Sequence, residues 1–149
     1  MSEPIYFYGA NNAFGEFSNF SRHGIELGGK WWPTTEHYFQ AKKFEGTEHE
    51  DEIRRANSPG LSARMGRSRK RPLRKDWESV KERVMYEALE AKFTQHEELR
   101  ALLLGTEDAY LVEHTNKDRY WGDGGDGSGK NRLGHLLMRL RSALQEQGE

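Results

Sequence analysis

Short runs rich in aromatic and β-branched residues predict a few β-strands. Residues 5–8 form one such run, and residues 110–112 form another. Residues 24–27 and 30–32 flank Gly28-Gly29, a dipeptide typical of the tight turn of a β-hairpin. The sequence therefore predicts two single strands, near the N-terminus and at residues 110–112, and a hairpin between them in the chain.

Apolar positions that recur every three to four residues predict that most of the remaining chain is helical. Thr34, Thr47 and Ser58 each precede such a stretch, where a hydroxyl can cap the first turn. Glu50 matches a capping box with Thr47, and Pro59 follows Ser58 at the first helical position. The predicted helices cover residues 34–44, 47–56, a third and shorter segment from 58, 76–95 with Asp76 as its cap, 97–104, and a C-terminal helix.

The longest predicted helix, residues 76–95, carries the most continuous apolar surface. Its stripe consists of Val80, Val84, Ala88 and Ala91, flanked by Met85, Leu89 and Phe93. No internal repeat and no linker is evident, so we expect one domain over residues 1–149. Because helices outweigh strands, the pattern predicts an α+β fold that is mostly helical, with a small mixed or antiparallel sheet.

The composition describes a chain that folds without disulfides. Hydrophobic residues make up 34% of the 149 residues and charged residues 32%, yet 11% are aromatic, which argues against disorder. The absence of cysteine excludes a disulfide, a thiolate nucleophile and a cysteine-ligated metal centre. The N-terminal segment lacks the features of an export signal, and no run approaches the roughly 18 apolar residues of a membrane span. We therefore expect a cytoplasmic protein that does not enter the membrane.

The net charge of −1 conceals a basic segment, residues 64–75. It holds seven lysines and arginines and no acidic residue, and Asp76-Trp77 follows it. Arginine can bind phosphate through two parallel hydrogen bonds, and tryptophan can stack on a flat heterocycle. The candidate phosphate ligands are Arg64, Arg67, Arg69, Arg71 and Arg74. The structural alternatives are a solvated charged loop and a Trp77 side chain that only packs.

Three polar residues, Glu36, Gln40 and Lys43, are spaced i, i+4 and i+7 in the segment WPTTEHYFQAKKF, residues 32–44. This spacing places them on one face of a helix. An adjacent face, expected to pack inward, consists of His37, Ala41 and Phe44. The aromatic neighbours are Trp31, Trp32, Tyr38 and Phe39. A carboxylate beside aromatic walls suits a general base or a group that stabilises a cation, whereas the alternative is a solvated stripe on a surface helix.

A glycine-rich loop, YWGDGGDGSGKNRLG, covers residues 120–134 and leads into the C-terminal helix. Its GGDGSGKN nearly matches a phosphate-binding loop, but Asn131 stands where Ser or Thr should hold magnesium, and Asp123 and Asp126 would repel phosphate. We expect instead that the glycines let the backbone approach a different ligand. The carboxylates lack the spacing of a calcium loop, and the six scattered histidines contain no zinc-type pair, so no metal is expected.

Taken in order, these segments resemble the NADAR family, and within it the YbiA-like N-glycosidases. The resemblance is carried by FYGANNAFGEFSNF (7–20), WPTTEHYFQAKKF (32–44), ARMGR (63–67), PLRKDWESVKERVM (72–85), ALEAKFTQHEELRALLLGT (88–106), LVEHT (111–115) and DRYWGDGGDGSGKNRLGHLLMRLR (118–141). It covers nearly the whole chain and is most specific in EHYFQAKKF and YWGDG.

The resemblance implies hydrolysis of 5-phosphoribosylamino-pyrimidines from early riboflavin biosynthesis, releasing ribose 5-phosphate and an aminopyrimidine without a cofactor. Other family members remove ADP-ribose from guanine in nucleic acid, which is the alternative substrate. Together with the helix face and the basic segment, the resemblance gives Glu36, Lys43 and Asp123 as candidate catalytic residues. The candidate substrate-binding residues are Asn19, Gln40, Arg64, Arg67, Trp77, Asp118, Trp121, Gly122 and Asn131.

Two mechanisms remain open at this point. Breaking a ribosylamine bond builds positive charge on the sugar carbon, which Glu36 can stabilise while it activates a water molecule. Asp123 would orient the ribose hydroxyls or act as a second carboxyl, and Trp77 and Trp121 would enclose the base. Alternatively, Lys43 traps the open-chain imine as a Schiff base, which requires a lowered pKa. A rival from another class is a non-catalytic nucleic-acid binding module, against which the net charge argues.

Overall fold

Residues 3–148, which the computed structural model describes, form six α-helices, one short 3-10 helix and four strands. In chain order these are β1 (Ile5–Phe7), the 3-10 helix (Gly15–Phe17), β2 (Ile25–Leu27), β3 (Lys30–Trp32), α1 (Thr35–Lys42), α2 (Glu48–Arg54), α3 (Pro59–Arg67), α4 (Trp77–Gln95), α5 (Glu97–Gly105), β4 (Leu111–Glu113) and α6 (Arg132–Gln147). The chain divides into two units: a central unit, Asn19–Gln95, and a terminal unit built from the residues before and after it. None of the described helices is long and apolar enough to cross a membrane.

The strands form two separate two-stranded sheets, one in each unit. β2 and β3 pair antiparallel, and Gly28 and Gly29 between them have φ values of 64° and 79°. Glycine adopts this left-handed region without strain, so the predicted hairpin is confirmed together with its turn. β1 pairs with β4 in parallel, with Ile5 opposite Leu111. The predicted α+β class, mostly helical with little sheet, is therefore confirmed.

Hydroxyl side chains start α1, α2 and α3, as the sequence predicts. Thr34, Thr47 and Ser58 each accept a hydrogen bond from a backbone N–H in the first turn of their helix. Glu50 accepts from the N–H of Gly46 at 3.0 Å, one residue earlier than a capping box requires. The prediction that the third helix is shorter is wrong, because α3 has nine residues against eight and seven in α1 and α2.

A buried histidine ties α1 to the end of α2. His37 Nε2 lies 3.0 Å from the backbone oxygen of Ala56, and Nδ1 lies 2.8 Å from the hydroxyl oxygen of Thr34. Because a carbonyl oxygen can only accept, Nε2 carries the proton and the Thr34 hydroxyl donates to Nδ1. Burial lowers the pKa of His37 below its ordinary value, against the opposing effect of the Ala56 bond. Ala41 and Phe44 are also buried, which confirms the predicted inward face of α1.

α4 is the core helix of the central unit, and α1 and β2 pack against it. The predicted stripe and its flanking residues are all buried: Val80, Val84, Met85, Ala88, Leu89, Ala91 and Phe93. At the C-terminal end of the helix, the Gln95 amide donates to the backbone oxygen of Glu26 at 2.7 Å and accepts from its N–H at 2.9 Å. This pair of bonds fixes the hairpin to the helix.

In the terminal unit, α6 packs against β4 and α5 through its leucine stripe. The stripe is buried throughout and consists of Leu133, Leu136, Leu137, Leu140 and Leu144. Arg141 is buried beside it and donates to the Thr106 hydroxyl at 2.9 Å and to the backbone oxygen of Ala109 at 2.8 Å. These bonds replace the water that a buried guanidinium loses.

Candidate active site

Glu36, Gln40 and Lys43 lie on one face at α1 and its C-terminal cap, as their spacing predicts. Gln40 Nε2 donates to Glu36 Oε2 at 2.8 Å, and Lys43 Nζ lies 3.4 Å from the backbone oxygen of Gly66 in α3. Gln40 and Lys43 are only 5% and 7% exposed, and Glu36 is half-buried. A solvated stripe would leave all three side chains in water, so that alternative is excluded.

Gly66 provides the space in which the Gln40 amide lies. A Cβ atom at this position would collide with Gln40 Oε1. This oxygen is buried, and within residues 3–148 it accepts no hydrogen bond. An unpaired buried acceptor costs about 1–3 kcal/mol, which a donor that reaches it would recover. Gly66 was not predicted as a site residue, although a glycine inside a predicted helix indicates close packing.

Lys43 has a strongly perturbed amine. Burial lowers the pKa of Lys43 to about 8; the nearby charges of Arg69 and Arg67 lower it too, whereas Glu36 and Glu78 raise it. At pH 7 an amine with this pKa is about 10% neutral, compared with about 0.03% at the ordinary value for lysine. Lys43 therefore has the lowered pKa that a lysine needs in order to form a Schiff base.

Trp77 is packed inside the central unit. It is 5% exposed and meets Phe39 edge to face, with ring centres 5.0 Å apart. Lys43 Nζ lies 5.8 Å and 5.9 Å from the centres of the two rings, which is within the range of a cation–π contact. Trp77 thus performs the packing role that the sequence left open, and its role as a stacking surface for a base stays a prediction.

Asn19 accepts hydrogen bonds from the first turn of α1, next to Glu36. Its backbone oxygen accepts from the N–H of Glu36 at 3.2 Å, and its Oδ1 accepts from the Thr35 hydroxyl at 2.8 Å. Its Nδ2 donates to the sulfur of Met85 at 3.4 Å. The bonds position Glu36, whereas direct contact of Asn19 with substrate stays a prediction.

Two arginines of the basic segment are already paired. Arg71 Nε lies 3.7 Å from Glu52 Oε1. Arg74 contacts Asp76 at 2.6 Å and Glu45 at 2.9 Å. Side chains held in such pairs are less available to an incoming phosphate.

The other arginines of the basic segment keep their charge uncompensated. Arg64, Arg67 and Arg69 are exposed and form no ion pair or hydrogen bond within residues 3–148. Arg64 and Arg67 belong to α3, so the alternative of a charged loop is wrong for this first part of the segment. The structure therefore distinguishes two groups of arginines that the sequence could not separate.

The glycine-rich loop is closed by its own hydrogen bonds. The N–H groups of Gly125 and Ser128 donate to the carboxylates of Asp123 and Asp126, and those of residues 129–131 donate to backbone oxygens. A phosphate-binding loop must present free N–H groups, so this loop is not one. At Gly129 the absence of a side chain allows backbone to approach backbone, since a Cβ there would lie 2.6 Å from the Asp123 carbonyl carbon. The approach of a ligand to this loop stays a prediction.

Asp123 anchors this loop in the terminal unit. Oδ1 accepts from the N–H groups of Thr115 and Gly125 at 3.0 and 2.8 Å, and Oδ2 accepts from His114 Nδ1 at 2.7 Å. Burial raises the pKa of Asp123, but the bonds from His114, Gly125 and Thr115 outweigh it and hold the pKa below its ordinary value. Asp123 is therefore a fixed carboxylate. His114 was not predicted, because nothing distinguishes it among six scattered histidines.

Asn131 closes the free edge of β4. Its Oδ1 accepts from the N–H of Glu113 at 3.0 Å, and its Nδ2 donates to the backbone oxygen of Leu111 at 2.9 Å. Its own φ is 50°, a left-handed conformation that asparagine tolerates better than most residues. Both ends of the amide are thus engaged by the fold, and substrate binding by Asn131 stays a prediction.

Asp118, Trp121 and Gly122 lie where the loop begins. Asp118 Oδ1 accepts from the N–H groups of Tyr120 and Trp121 at 2.9 and 2.8 Å, which fixes the turn. Trp121 is half-buried and meets Tyr120 edge to face at 4.9 Å. Gly122 is buried, and a Cβ there would lie 2.8 Å from the side chain of Thr115. Their contacts to substrate stay predictions.

In the part of the chain that the structure describes, no three histidine, aspartate or glutamate side chains group to hold a metal ion.

Residues 6–145 match the NADAR domain. The match spans far more than half of the chain, so this protein belongs to the NADAR family, and the resemblance found in the sequence is confirmed.

The curated relatives add the class of enzyme. N-glycosidase YbiA of Escherichia coli strain K12 is 62% identical over 140 residues, which cover 94% of this chain and 88% of that protein. An N-glycosidase of Nostoc punctiforme is 42% identical, covering 95% and 92%. A riboflavin biosynthesis protein of Vibrio vulnificus is 40% identical over 98% of this chain and 40% of its own length. The NMR structure of E. coli YbiA superposes with a TM-score of 0.91 at 59% identity, covering 99% of this chain and 89% of that one. The expected class, N-glycosidase, is confirmed.

Proposed function

We propose that this protein hydrolyses the N-glycosidic bond of a 5-phosphoribosylamino-pyrimidine, releasing ribose 5-phosphate and an aminopyrimidine. The names of the relatives supply the type of bond and a link to riboflavin biosynthesis. The observation that carries the proposal is the buried cluster of Glu36, Gln40 and Lys43. It combines a positioned carboxylate with an amine whose pKa is lowered to about 8.

In the direct route, Glu36 stabilises the positive charge that develops on the sugar carbon and activates the attacking water. Gln40 holds the carboxylate in one orientation through its 2.8 Å bond.

In the covalent route, the ribosylamine ring opens to an imine and the neutral amine of Lys43 attacks the imine carbon. The heterocyclic amine leaves with a proton, and a Schiff base between Lys43 and the open-chain sugar remains. Water then hydrolyses it to regenerate Lys43 and release ribose 5-phosphate. Glu36 serves as the proton shuttle in this route.

The phosphate of the substrate would bind to the uncompensated arginines, with Arg64 and Arg67 as the first candidates. Such a contact, remote from the reacting carbon, uses binding energy to orient the sugar. Since Arg67 also lowers the pKa of Lys43, a bound phosphate would partly offset that effect and help Lys43 to hold a proton.

Product release from a phosphoribosylamino-pyrimidine tests the proposal directly. Glu36→Gln keeps the shape of the side chain but removes its charge, so we expect kcat to fall by about 10²-fold or more, with little change in substrate affinity. Glu90→Gln, an exposed carboxylate on α4, is the matched control and should retain full activity. A Glu36→Gln enzyme that turns over within a few-fold of the parent would refute the role of Glu36.

Borohydride trapping distinguishes the two routes. The covalent route predicts a stable sugar adduct in the parent protein and in Lys70→Ala, and neither adduct nor activity in Lys43→Ala. The direct route predicts no adduct and partial activity in Lys43→Ala. The same assay with ADP-ribosylated guanine, and a gel shift with single-stranded DNA, tests the alternative substrate and the binding-module hypothesis.

A further inference from the structure

The terminal unit contains a groove that the proposed chemistry leaves unused. It has a volume of about 610 Å³ and is lined by the β1–β4 sheet, the start of α6 and the glycine-rich loop. Pockets of about 300–1,000 Å³ are typical of small-molecule sites. The rings that line it belong to Tyr6, Tyr110, His114 and His135.

The two tyrosines of this groove are exposed and yet held in place. Tyr6 and Tyr110 are 55% and 46% exposed. Tyr6 meets the ring of His114 edge to face at 5.3 Å. Tyr110 meets His135 in the same way at 5.6 Å, and its hydroxyl lies 3.1 Å from His135 Nε2. Each tyrosine therefore offers a pre-oriented face to a flat ligand, at little further cost in side-chain entropy.

His114 supplies the polar group of the groove. Its Nδ1 donates to Asp123, and Asp123 is itself fixed by two backbone N–H groups. In the tautomer with its proton on Nδ1, the imidazole presents an acceptor lone pair on Nε2. The side chain of His114 is 52% exposed and lines the groove. The carboxylate thus orients a hydrogen-bond acceptor toward a ligand with an N–H group.

The charges that line the groove disfavour an anion. Asp123 and Asp126 line the groove, and their oxygens already receive the loop N–H groups of Gly125 and Ser128. A phosphate would therefore meet two carboxylates, against which Lys130 is the one lysine or arginine among the lining residues. Stacking faces, an acceptor nitrogen and negative charge together favour a neutral or cationic aromatic ring that carries an amino group.

We propose that this groove binds a heterocyclic amine of the aminopyrimidine class, with its ring against Tyr6 and its amino group donating to His114 Nε2. The proposal rests on the proposed function in one respect only, namely that this is the class of molecule which the reaction would release. The groove would then retain or sense the product independently of the Glu36 cluster.

The test is a titration of the full chain with 4-aminopyrimidine, followed by calorimetry and amide NMR shifts. Pyrimidine without the amino group and ribose 5-phosphate are the comparison ligands. We expect saturable binding of 4-aminopyrimidine with shifts in residues 124–131, weaker binding of pyrimidine, and no binding of ribose 5-phosphate at the groove. No saturable shift at these residues, or stronger binding of ribose 5-phosphate there, would overturn the proposal.

Three substitutions sharpen this test. Tyr6→Ala removes the stacking face and should raise Kd by about tenfold or more. His114→Asn keeps a donor near Asp123 but removes the Nε2 acceptor, and it should raise Kd with little change in melting temperature. Tyr8→Ala, on an equally exposed tyrosine next to β1 that does not line the groove, should leave Kd within twofold. If Tyr6→Ala leaves Kd unchanged, or if Tyr8→Ala raises it equally, the groove is not the site.

The experiments can refute the binding proposal for the groove and the proposed reaction independently of each other. Binding that persists in Glu36→Gln, with no product released by the parent, retains the groove and refutes the reaction. Full turnover with unaltered 4-aminopyrimidine binding in Tyr6→Ala retains the reaction and refutes the groove.

Discussion

If Lys43 acts as a nucleophile, kcat/KM rises with pH as the amine loses its proton, because only the neutral amine attacks. The midpoint of this rise, the acid limb of the pH profile, gives the pKa of Lys43 in the free enzyme. With a pKa of about 8, activity should rise roughly tenfold between pH 7 and pH 9 and then level off. Glu36 raises this pKa and Arg69 lowers it. Replacing each by glutamine should therefore move the limb in opposite directions, downward for Glu36→Gln and upward for Arg69→Gln.

The size of these shifts follows from distance and screening. Glu36 and Lys43 are seven residues apart, about 10 Å along the helix axis. At an effective dielectric constant of about 20, a unit charge at that distance contributes about 1.7 kcal/mol, or a little over one pKa unit, and salt reduces it. We therefore expect the acid limb of Glu36→Gln to move by about half a unit to one unit at low ionic strength and by less at high salt, and that of Arg69→Gln to move in the opposite direction.

The assay is a series of kcat/KM measurements from about pH 6.5 to 10, with Arg71→Gln as the control. Arg71 is paired with Glu52 and is not among the charges with the largest effect on the pKa of Lys43, so the acid limb of Arg71→Gln should stay close to that of the parent. NMR of reductively methylated Lys43 gives the same pKa without relying on turnover. Shifts of equal sign in Glu36→Gln and Arg69→Gln, or a shift in Arg71→Gln alone, would refute this account of the Lys43 environment.

Three further substitutions test single contacts. Arg67→Gln should raise KM about tenfold for a phosphorylated substrate and little for its dephosphorylated analogue; equal losses on both would argue against phosphate binding. Trp121→Phe should weaken substrate binding while the melting temperature stays within a few degrees, since the side chain is half-buried in a loop; a large drop in melting temperature would indicate packing instead. Asn131→Ala should reduce the free energy of unfolding by about 2–4 kcal/mol in a denaturant titration, because it leaves the Leu111 oxygen and the Glu113 N–H unpaired; a loss below about 1 kcal/mol would contradict this.

The local parts of the fold could be predicted from the sequence because their causes are local. Thr34 and Ser58 cap helices that start at the next residue, and Gly28-Gly29 specifies its own hairpin. The parallel pairing of β1 with β4 could not be predicted, since these strands come from opposite ends of the chain and each has only three residues.

The same distinction applies to the candidate site. Glu36 and Gln40 were predictable as a pair because helical spacing alone brings them together. Arg67 and Arg71 were not distinguishable, because the partner of Arg71 is Glu52 on α2, a tertiary contact without a sequence pattern. Asn131 was a motif position whose bonds to β4 no spacing indicates.

The imidazole that joins α1 to the end of α2 makes the stability of the fold depend on pH. His37 stays neutral in the folded protein below the pH at which it protonates in the unfolded chain, so the unfolded state gains protons first and stability declines as pH falls below about 6.5. α1 also carries Glu36, so the contact that acid weakens is one that holds the helix of the candidate catalytic carboxylate in place.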